Sequence, residues 1–349
     1  MALVAVGLSG GVDSSVAAAM LLEAGHEVVA LSMRLYDAPE KSGKSCCSPD
    51  DLFDARHVAD MLGIPFYVLN FTEIFRQTVI EPWAEGYRAG RTPNPCIRCN
   101  AIVKFRALTA RADALGAVAL ATGHFAKVEE VDGQWRLGRA ANRSKDQSYF
   151  LYPVPVQRLP KFWLPLADLT KEEVRARAAA LSLPTATKNE SQDACFVTPN
   201  PPHVVVRAIT GEDPGNGQVV DENGRVLGIH KGFDGYTIGQ RRGLGMPGGP
   251  WFVVSISPKR NEVVVRHGGV ATTQRIELDE VHWHIDAQDQ QVGVKLRSRG
   301  EPVASTLSVL GDGRAVLEFD EPVTKPAPGQ AAVAYDGQDW VVCGGIISA

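Results

Sequence analysis

Ala2-Leu3-Val4-Ala5-Val6-Gly7-Leu8 is a short apolar run that passes into Ser9-Gly10-Gly11-Val12-Asp13-Ser14-Ser15 and then into the alanine-rich Val16 to Ala24. Strand, glycine turn and helix in that order read as the first unit of a βαβ fold. Adjacent glycines let the backbone turn tightly and present its N–H groups without Cβ atoms in the way, and the hydroxyls of Ser9, Ser14 and Ser15 add donors. The helix behind the turn begins with unpaired N–H groups and a positive dipole end, so the turn suits an anion such as a phosphate. It is not the usual triphosphate loop, because GxxxxGK[ST] requires a lysine that this stretch lacks.

The rest of the chain extends that unit. A helix stop at Gly25 leads to the strand pattern Glu27 to Leu31, with Met33 and Arg34 at its carboxyl end, where ligands of open parallel sheets bind. Pro49 to Leu62 reads as a helix with Ser48 as its cap, and Phe66 to Leu69 as a third strand. Phe71 to Ala89 reads as helical, with a break at Pro82. The proline-stiffened loop Gly90 to Asn100 places Cys99 at or just before the start of an amphipathic helix running through Leu115, beside Arg98 and a turn from Lys104, a setting that favours the thiolate. Val118 to Thr122 is a further strand, so Gly123 and His124 fall on the ligand side of the sheet. A hairpin with Asp132-Gly133 at its tip follows, then the polar cluster Lys145 to Tyr149, a helix capped by Thr170, and a loop carrying Cys195.

Beyond Pro202 the texture changes to short alternating segments with frequent glycine, which predicts β structure. The expected architecture is α/β: a doubly wound, mostly parallel sheet in residues 1–200, a small β-rich middle domain in 201–268, and a C-terminal β-barrel in 269–349. In the barrel, Lys295, Arg297 and Arg299 alternate with Val294, Leu296 and Ser298, which predicts one basic face along a strand from Gln291 to Ser298.

Composition fits that picture. The 349 residues are 44% hydrophobic and 22% charged, a globular mixture with room for two or three domains. The opening strand pattern is no secretory leader, and no apolar run approaches the roughly 18 residues of a membrane span, so a cytoplasmic protein with no membrane partner is expected. Six cysteines (Cys46, Cys47, Cys96, Cys99, Cys195 and Cys343) then read as catalytic or metal-binding rather than as disulfides. A zinc site would need a partner for Cys96 and Cys99, and the other close pair is the adjacent Cys46-Cys47. The net charge of −4 excludes a uniformly basic coat, yet Arg88, Arg91, Arg98, Lys104, Arg106 and Arg111 fall in one stretch without an acid, as do Arg136, Arg139, Arg143 and Lys145. Such patches can neutralise phosphates locally.

SGGVDSS resembles the pyrophosphate-binding loop of the ATP-pyrophosphatase superfamily. With it, TPNPCIRCN and IVKF, ATGHF, KDQSYFL, ESQDACF, HKGFDGYTIGQRRGLG and PGQAAVAYDG occur in order, and the set resembles the tRNA-specific 2-thiouridylase (MnmA) family over essentially the whole chain. The resemblance implies an adenine nucleotide hydrolase-like sheet and ATP-dependent 2-thiolation of the wobble uridine of tRNA: the C2 oxygen is adenylated, pyrophosphate leaves, sulfur enters and AMP departs. It implies ATP at Gly7, Leu8, Ser9, Gly10, Gly11, Val12, Asp13, Ser14, Met33 and Gly123, with Mg2+ on the phosphates. It implies Cys99 as a nucleophile and Cys195 as the carrier of a persulfide. Contacts to the anticodon stem-loop are implied at Asn94, Pro95 and Cys96 for the target base and at His124, Lys145, Asp146, Gln147, Arg297, Ser298 and Gln330. A sulfur donor is implied as well: a persulfide-carrying relay protein, a cysteine desulfurase, or sulfide.

One position departs from the pattern. Many family members have an aspartate where this chain has Cys96, and Cys96, Cys99 and Cys195 together resemble the three-cysteine sites of related tRNA thiolases that hold a four-iron four-sulfur cluster. Two other functions compete. A different adenylating enzyme of the superfamily, of amidotransferase type, would have no use for Cys99, Cys195 or a β-rich tail. A non-catalytic RNA- or metal-binding protein would release no pyrophosphate.

Overall fold

The computed structural model describes residues 1–36, 49–189, 194–197 and 200–348. Cys46, Cys47, Lys41, Lys44, the Ser48 cap and Glu190 to Asp193 of the ESQDACF segment lie outside the described residues. By contacts the chain forms two compact units: Met1–Val79 with Pro95–Pro199 and Tyr335–Val342, and Ile80–Asn94 with Asn200–Ala334 and Cys343–Ala349.

In the first unit, β1 (Leu3–Gly7), α1 (Val12–Glu23), β2 (Glu27–Arg34), α2 (Pro49–Leu62) and β3 (Phe66–Asn70) follow one another. After further helices come β4 (Ala119–Thr122), the hairpin β5 (Ala126–Val131) and β6 (Gln134–Arg139), and the two-residue β7 (Phe162–Trp163). Five strands pair in the order β3-β2-β1-β4-β7, every pairing parallel. From β1 the chain winds outward to β2 and β3, then returns to place β4 on the other side of β1. The topological switch therefore lies between the carboxyl ends of β1 and β4, where Gly7 stands opposite Thr122.

Val4, Val6, Ala30 and Ala121 are fully buried, as expected of a sheet covered on both faces. Helix α1 buries Val12 and every residue from Ser14 to Ala19. A 12-residue helix is marginal alone, so its alanines serve close packing between sheet and neighbouring helices more than propensity. Gly25, at φ +80°, ends the α1 turn.

The helical stretches between β3 and β4 hold a correction. Phe71–Ala89 is α3 (Thr72–Phe75), a π-turn (Arg76–Ile80) and α4 (Glu81–Arg88); the break expected at Pro82 is the π-turn just before it, and Pro82 occupies an early helical position where no N–H is needed. Downstream, α5 (Pro95–Arg98) opens the next helix, which continues as a π-helix over Cys99–Leu108 and ends as α6 (Thr109–Ala114). Cys99 is therefore one turn inside the helix, and Cys96 holds the first turn. Then come α7 (Ser148–Leu151) and α8 (Lys171–Ala180). Thr170 caps α8 in a reciprocal box: its Oγ1 accepts from the Glu173 N–H at 3.2 Å, and its own N–H donates to Glu173 Oε2 at 2.7 Å.

In the second unit α9 (Pro202–Thr210) is a helix where β texture is expected; Pro202 stands at its start and Gly211 ends it at φ 71°, and these punctuators outweigh the β-branched run Val204-Val205-Val206. Four strands, β8 (Gly217–Asp221), β9 (Val226–His230), β10 (Trp251–Ser257) and β11 (Glu262–His267), form a sheet in the order β10-β11-β8-β9 over Val219, Phe233, Val253, Val263 and Val265. The last six strands, β12 (Thr272–Trp283), β13 (Gln290–Lys295), β14 (Val303–Gly311), β15 (Arg314–Thr324), β16 (Ala331–Tyr335) and β17 (Val341–Ile347), close a barrel. Strand β13 stops at Lys295, which is 2% exposed, so the expected basic face does not form; Arg297 is exposed beyond the strand end, where alternation no longer applies.

Candidate active site

A cavity opens at the topological switch. Gly7, Leu8, Ser9, Gly11, Asp13 and Ser14 form its floor, Leu31, Ser32 and Met33 one wall, and Thr122, Gly123 and His124 the other, with Asp51, Lys104 and Gln147 at its margins. Local hydrogen bonding shapes the floor. Ser14 Oγ accepts from the Ser9 N–H at 3.1 Å and donates to the Gly11 carbonyl at 3.1 Å, while Ser15 Oγ donates to the same carbonyl at 2.9 Å. The loop is thus folded onto the first turn of α1.

Two glycines are required by close approach. Gly10 has φ +72°, and a Cβ there would lie 2.1 Å from the Asp51 carbonyl oxygen, because the first turn of α2 rests on the loop. A Cβ at Gly123 would lie 2.5 Å from the Ser14 amide nitrogen. The end of β4 therefore pins the start of α1.

Both His124 and Gln147 line this cavity. His124 Nδ1 is 2.8 Å from Thr122 Oγ1, and burial together with the nearby Lys104 ammonium holds its pKa well below the usual imidazole range. Gln147 Oε1 accepts from the Phe125 N–H at 2.9 Å, and the Gln147 N–H donates to the Phe125 carbonyl at 2.7 Å. Asp146 is turned inward: it accepts from the Ala140 N–H at 3.2 Å and from the Ser148 N–H and hydroxyl at 3.1 and 3.0 Å. Its side chain serves the fold. Lys145 is half-buried next to it.

The thiols sit on separate supports. Cys96 is exposed and Cys99 buried on successive turns of the same helix. Arg98, between them, donates to the Thr78 carbonyl in the π-turn at 3.2 Å. Cys195 is half-buried; the Tyr36 hydroxyl donates to its carbonyl at 2.5 Å. Next to it the Phe196 ring meets Phe75 edge-on at 5.8 Å, and Tyr36 stacks on Phe75 at 6.4 Å. Helix α3, which carries Phe75, packs against the helix of Cys99. Tyr36 follows β2, whose Met33 lines the cavity, so the aromatic group ties the Cys195 segment to that face of the sheet. Cys343 is a different case, since burial in β17 pushes its thiol up to about 12 and leaves it unreactive at neutral pH.

Among the described residues no three His, Cys, Asp or Glu side chains stand together to hold a metal ion, so Cys96, Cys99 and Cys195 do not fit an iron–sulfur cluster as arranged here, and no step is derived through one. In the second unit, Gln330 Nε2 donates to the Thr92 carbonyl at 2.5 Å and the Thr92 N–H donates to the Pro328 carbonyl at 2.8 Å, which joins Gln330 to the loop preceding Asn94. Arg297 is exposed and Ser298 half-buried. Among the described residues no helix is long and apolar enough to cross a membrane.

Comparison with known proteins agrees with an α/β domain followed by two β-rich ones. Residues 2–199 match the family model described as tRNA methyl transferase HUP domain, residues 205–267 the tRNA methyl transferase PRC-barrel domain, and residues 273–347 the aminomethyltransferase beta-barrel domain. The tRNA-specific 2-thiouridylase MnmA of Moorella thermoacetica is 45% identical, with 98% of each chain covered. That of Chloroflexus aggregans is 43% identical over 97% of this chain and 96% of its own. The chain belongs to the MnmA family. A solved 4-thiouridine synthetase–RNA complex with bound ATP overlaps 57% of this chain and 46% of its own at TM-score 0.37 and 18% identity, too loose an overlap to bear on chemistry.

Of the residues expected at ATP, Gly7, Leu8, Ser9, Gly11, Asp13, Ser14, Met33 and Gly123 line the cavity, whereas Tyr36 and Phe75 were not expected as supports of Cys195. Phe75 lies within the expected helical stretch Phe71 to Ala89 with no sign of this role, and no local signal marks Tyr36, which meets Cys195 across 159 residues.

Proposed function

We propose that this protein 2-thiolates the wobble uridine of tRNA at the expense of ATP. The observation that carries the reading is the cavity at the switch point: a lysine-free glycine loop under the end of β1, with the Cys99 helix supplying Lys104 to its margin. The loop N–H groups and hydroxyls of Ser9 to Ser14 would hold the β and γ phosphates, and Met33 and Gly123 the adenine. The C2 oxygen of the flipped uridine attacks the α phosphorus, the bond to the bridging oxygen breaks, and pyrophosphate leaves with its electron pair in the loop. Adenylation converts a poor leaving group into AMP. The outer sulfur of a Cys195 persulfide then replaces it at C2 as Cys99 attacks the inner sulfur, and an external thiol reopens the resulting disulfide.

Magnesium fits the cavity in the manner usual for that ion. Asp13 and Asp51, the carboxylates lining the space, would hold it together with the substrate phosphates. Bound there, it would supply neutralisation of phosphate charge. His124, Lys145, Gln147, Arg297, Ser298 and Gln330 are proposed tRNA contacts, with Asn94 to Cys96 at the target base; Asp146 would take part through its backbone. A sulfur donor, as relay protein, desulfurase or sulfide, and a cytoplasmic setting complete the proposal.

Two assays on the purified protein test this. Pyrophosphate release should depend on tRNA, and mass analysis of nucleosides after reaction with a persulfide donor should contain 2-thiouridine. Release that ignores tRNA, or product nucleosides without 2-thiouridine, would sink the reading.

A further inference from the structure

The floor of the cavity is acidic where phosphates are expected. Asp13 and Asp51 line it, Lys104 is the one ammonium among the lining residues, and His124 is neutral. Without Mg2+, two carboxylates against one ammonium make the site net negative, a poor place for a polyanion. Moreover, Asp51 belongs to the α2 turn that rests directly on Gly10, so its charge sits at the loop itself.

Two lysines that are outside the loop and outside the lining answer those carboxylates. Lys171 Nζ lies 2.6 Å from Asp13 Oδ1, with the Phe125 ring 5.7 Å away, and the residue is 5% exposed. Lys188 Nζ lies 2.6 Å from Asp51 Oδ1 and 2.5 Å from Asp54 Oδ2. Burial works against the Lys188 charge, and the two carboxylates override it, so its pKa is raised.

The placement of Lys171 is costly without a purpose. It is the first residue of α8, at the positive end of the helix dipole, and it is buried. Cations are favoured at the other end of a helix, and a buried ammonium carries a desolvation penalty. The Thr170–Glu173 capping box fixes the turn that presents it. Nearby Thr185 Oγ1 donates to Ser15 Oγ at 3.1 Å, both side chains fully buried, so the segment from α8 to Lys188 is fastened to α1 between its two lysines.

We propose that Lys171 and Lys188 are positioning residues for the nucleotide phosphates: by holding Asp13 and Asp51 they cancel the net negative charge at the phosphate end of the cavity, part of the office that a lysine within the loop performs in other nucleotide folds. The inference rests on the cavity being the ATP site. Neither lysine touches the reacting atoms; each acts through a carboxylate.

Calorimetric titration of the full chain with Mg2+ and ATP, pyrophosphate or AMP tests it, on the wild type, Lys171→Met, Lys171→Arg and Lys188→Met. Lys171→Met should weaken ATP and pyrophosphate about tenfold or more, the worth of a charged hydrogen bond, while AMP changes by less than about twofold. Lys171→Arg should stay within about threefold of the wild type, and Lys188→Met should shift in the same direction as Lys171→Met by less, its pair being more exposed. Equal weakening of AMP, or unchanged ATP and pyrophosphate, would overturn the proposal. Should the methionine variant not fold, Lys171→Gln carries the same comparison. A wild type that binds none of the three ligands would instead remove the ATP site on which the inference stands.

Discussion

The nucleotide cavity and the thiol segments are held by different means. The cavity is made of backbone: Gly10 against the Asp51 carbonyl, Gly123 against the Ser14 amide, and Ser14 and Ser15 hydroxyls closing the turn onto the Gly11 carbonyl. Cys195 is held from far along the sequence, by the Tyr36 hydroxyl on its carbonyl and by the Phe75 ring against its neighbour Phe196. A leaving group that must be stabilised at one place calls for fixed N–H groups, whose geometry costs no reorganisation. A sulfur that must be received from a donor and passed to a base calls for a segment with fewer constraints. The division of labour proposed for the two halves therefore has a counterpart in how each is built.

Breaking each half separately should give opposite defects. Cys195→Ser is expected to lower 2-thiouridine formation by roughly three orders of magnitude or more, as loss of a nucleophile does, with tRNA-dependent pyrophosphate release kept within a few-fold. Gly10→Ala is expected to abolish release itself. A side chain at φ +72° costs about 1–3 kcal/mol in strain alone, and this one would also push the α2 turn off the loop. Pyrophosphate assays and nucleoside mass analysis on both variants check the pair. If Cys195→Ser stopped release or Gly10→Ala spared it, the two halves would not be separable.

The same contrast accounts for what could be read in advance. Residues 2–15 revealed the first strand, the turn and the helix, because glycine and a period of two are local properties of the chain. The mostly parallel sheet and the barrel followed from the succession of strand and helix patterns and from turn spacing, while the order of the strands came only from the fold. The π-helix at Cys99–Leu108 was not legible, since the 3.6-residue pattern of an ordinary helix fits the same side chains, and so Cys99 was expected at a helix start when it lies a turn inside. Lys295 misled for a similar reason: alternation describes a strand only as far as pairing runs, and pairing ends there. Lys171 and Asp13 meet across 158 residues, a juxtaposition that only the folded chain makes visible.

A milder intervention sharpens the comparison. Tyr36→Phe keeps the stacked ring and removes one hydrogen bond to the Cys195 carbonyl, worth about 1 kcal/mol. Thiolation should slow by about fivefold under single-turnover conditions, while tRNA-dependent pyrophosphate release and ATP affinity remain those of the wild type. Equal slowing of both steps would mean that Tyr36 supports the sheet edge rather than the sulfur segment.

The smallest effect concerns the cavity wall. Burial and the Lys104 charge keep His124 neutral well below the ordinary imidazole pKa of 6.5, whereas in the unfolded chain it titrates near that value. As pH falls below 6.5 the unfolded state takes up a proton that the folded state refuses, so stability declines from there down to the folded pKa; above 6.5 the residue contributes no slope. Burial also lowers the pKa of His230 and His282, so the wild type carries their slopes as well, and a difference between variants is needed. His124→Asn places a carbonyl oxygen within reach of Thr122 and removes the titration. Urea midpoints at pH 7.5 and pH 5.5 should therefore fall further for the wild type than for His124→Asn. Parallel declines would mean that the imidazole is as readily protonated in the cavity as in water, and that Lys104 is screened from it.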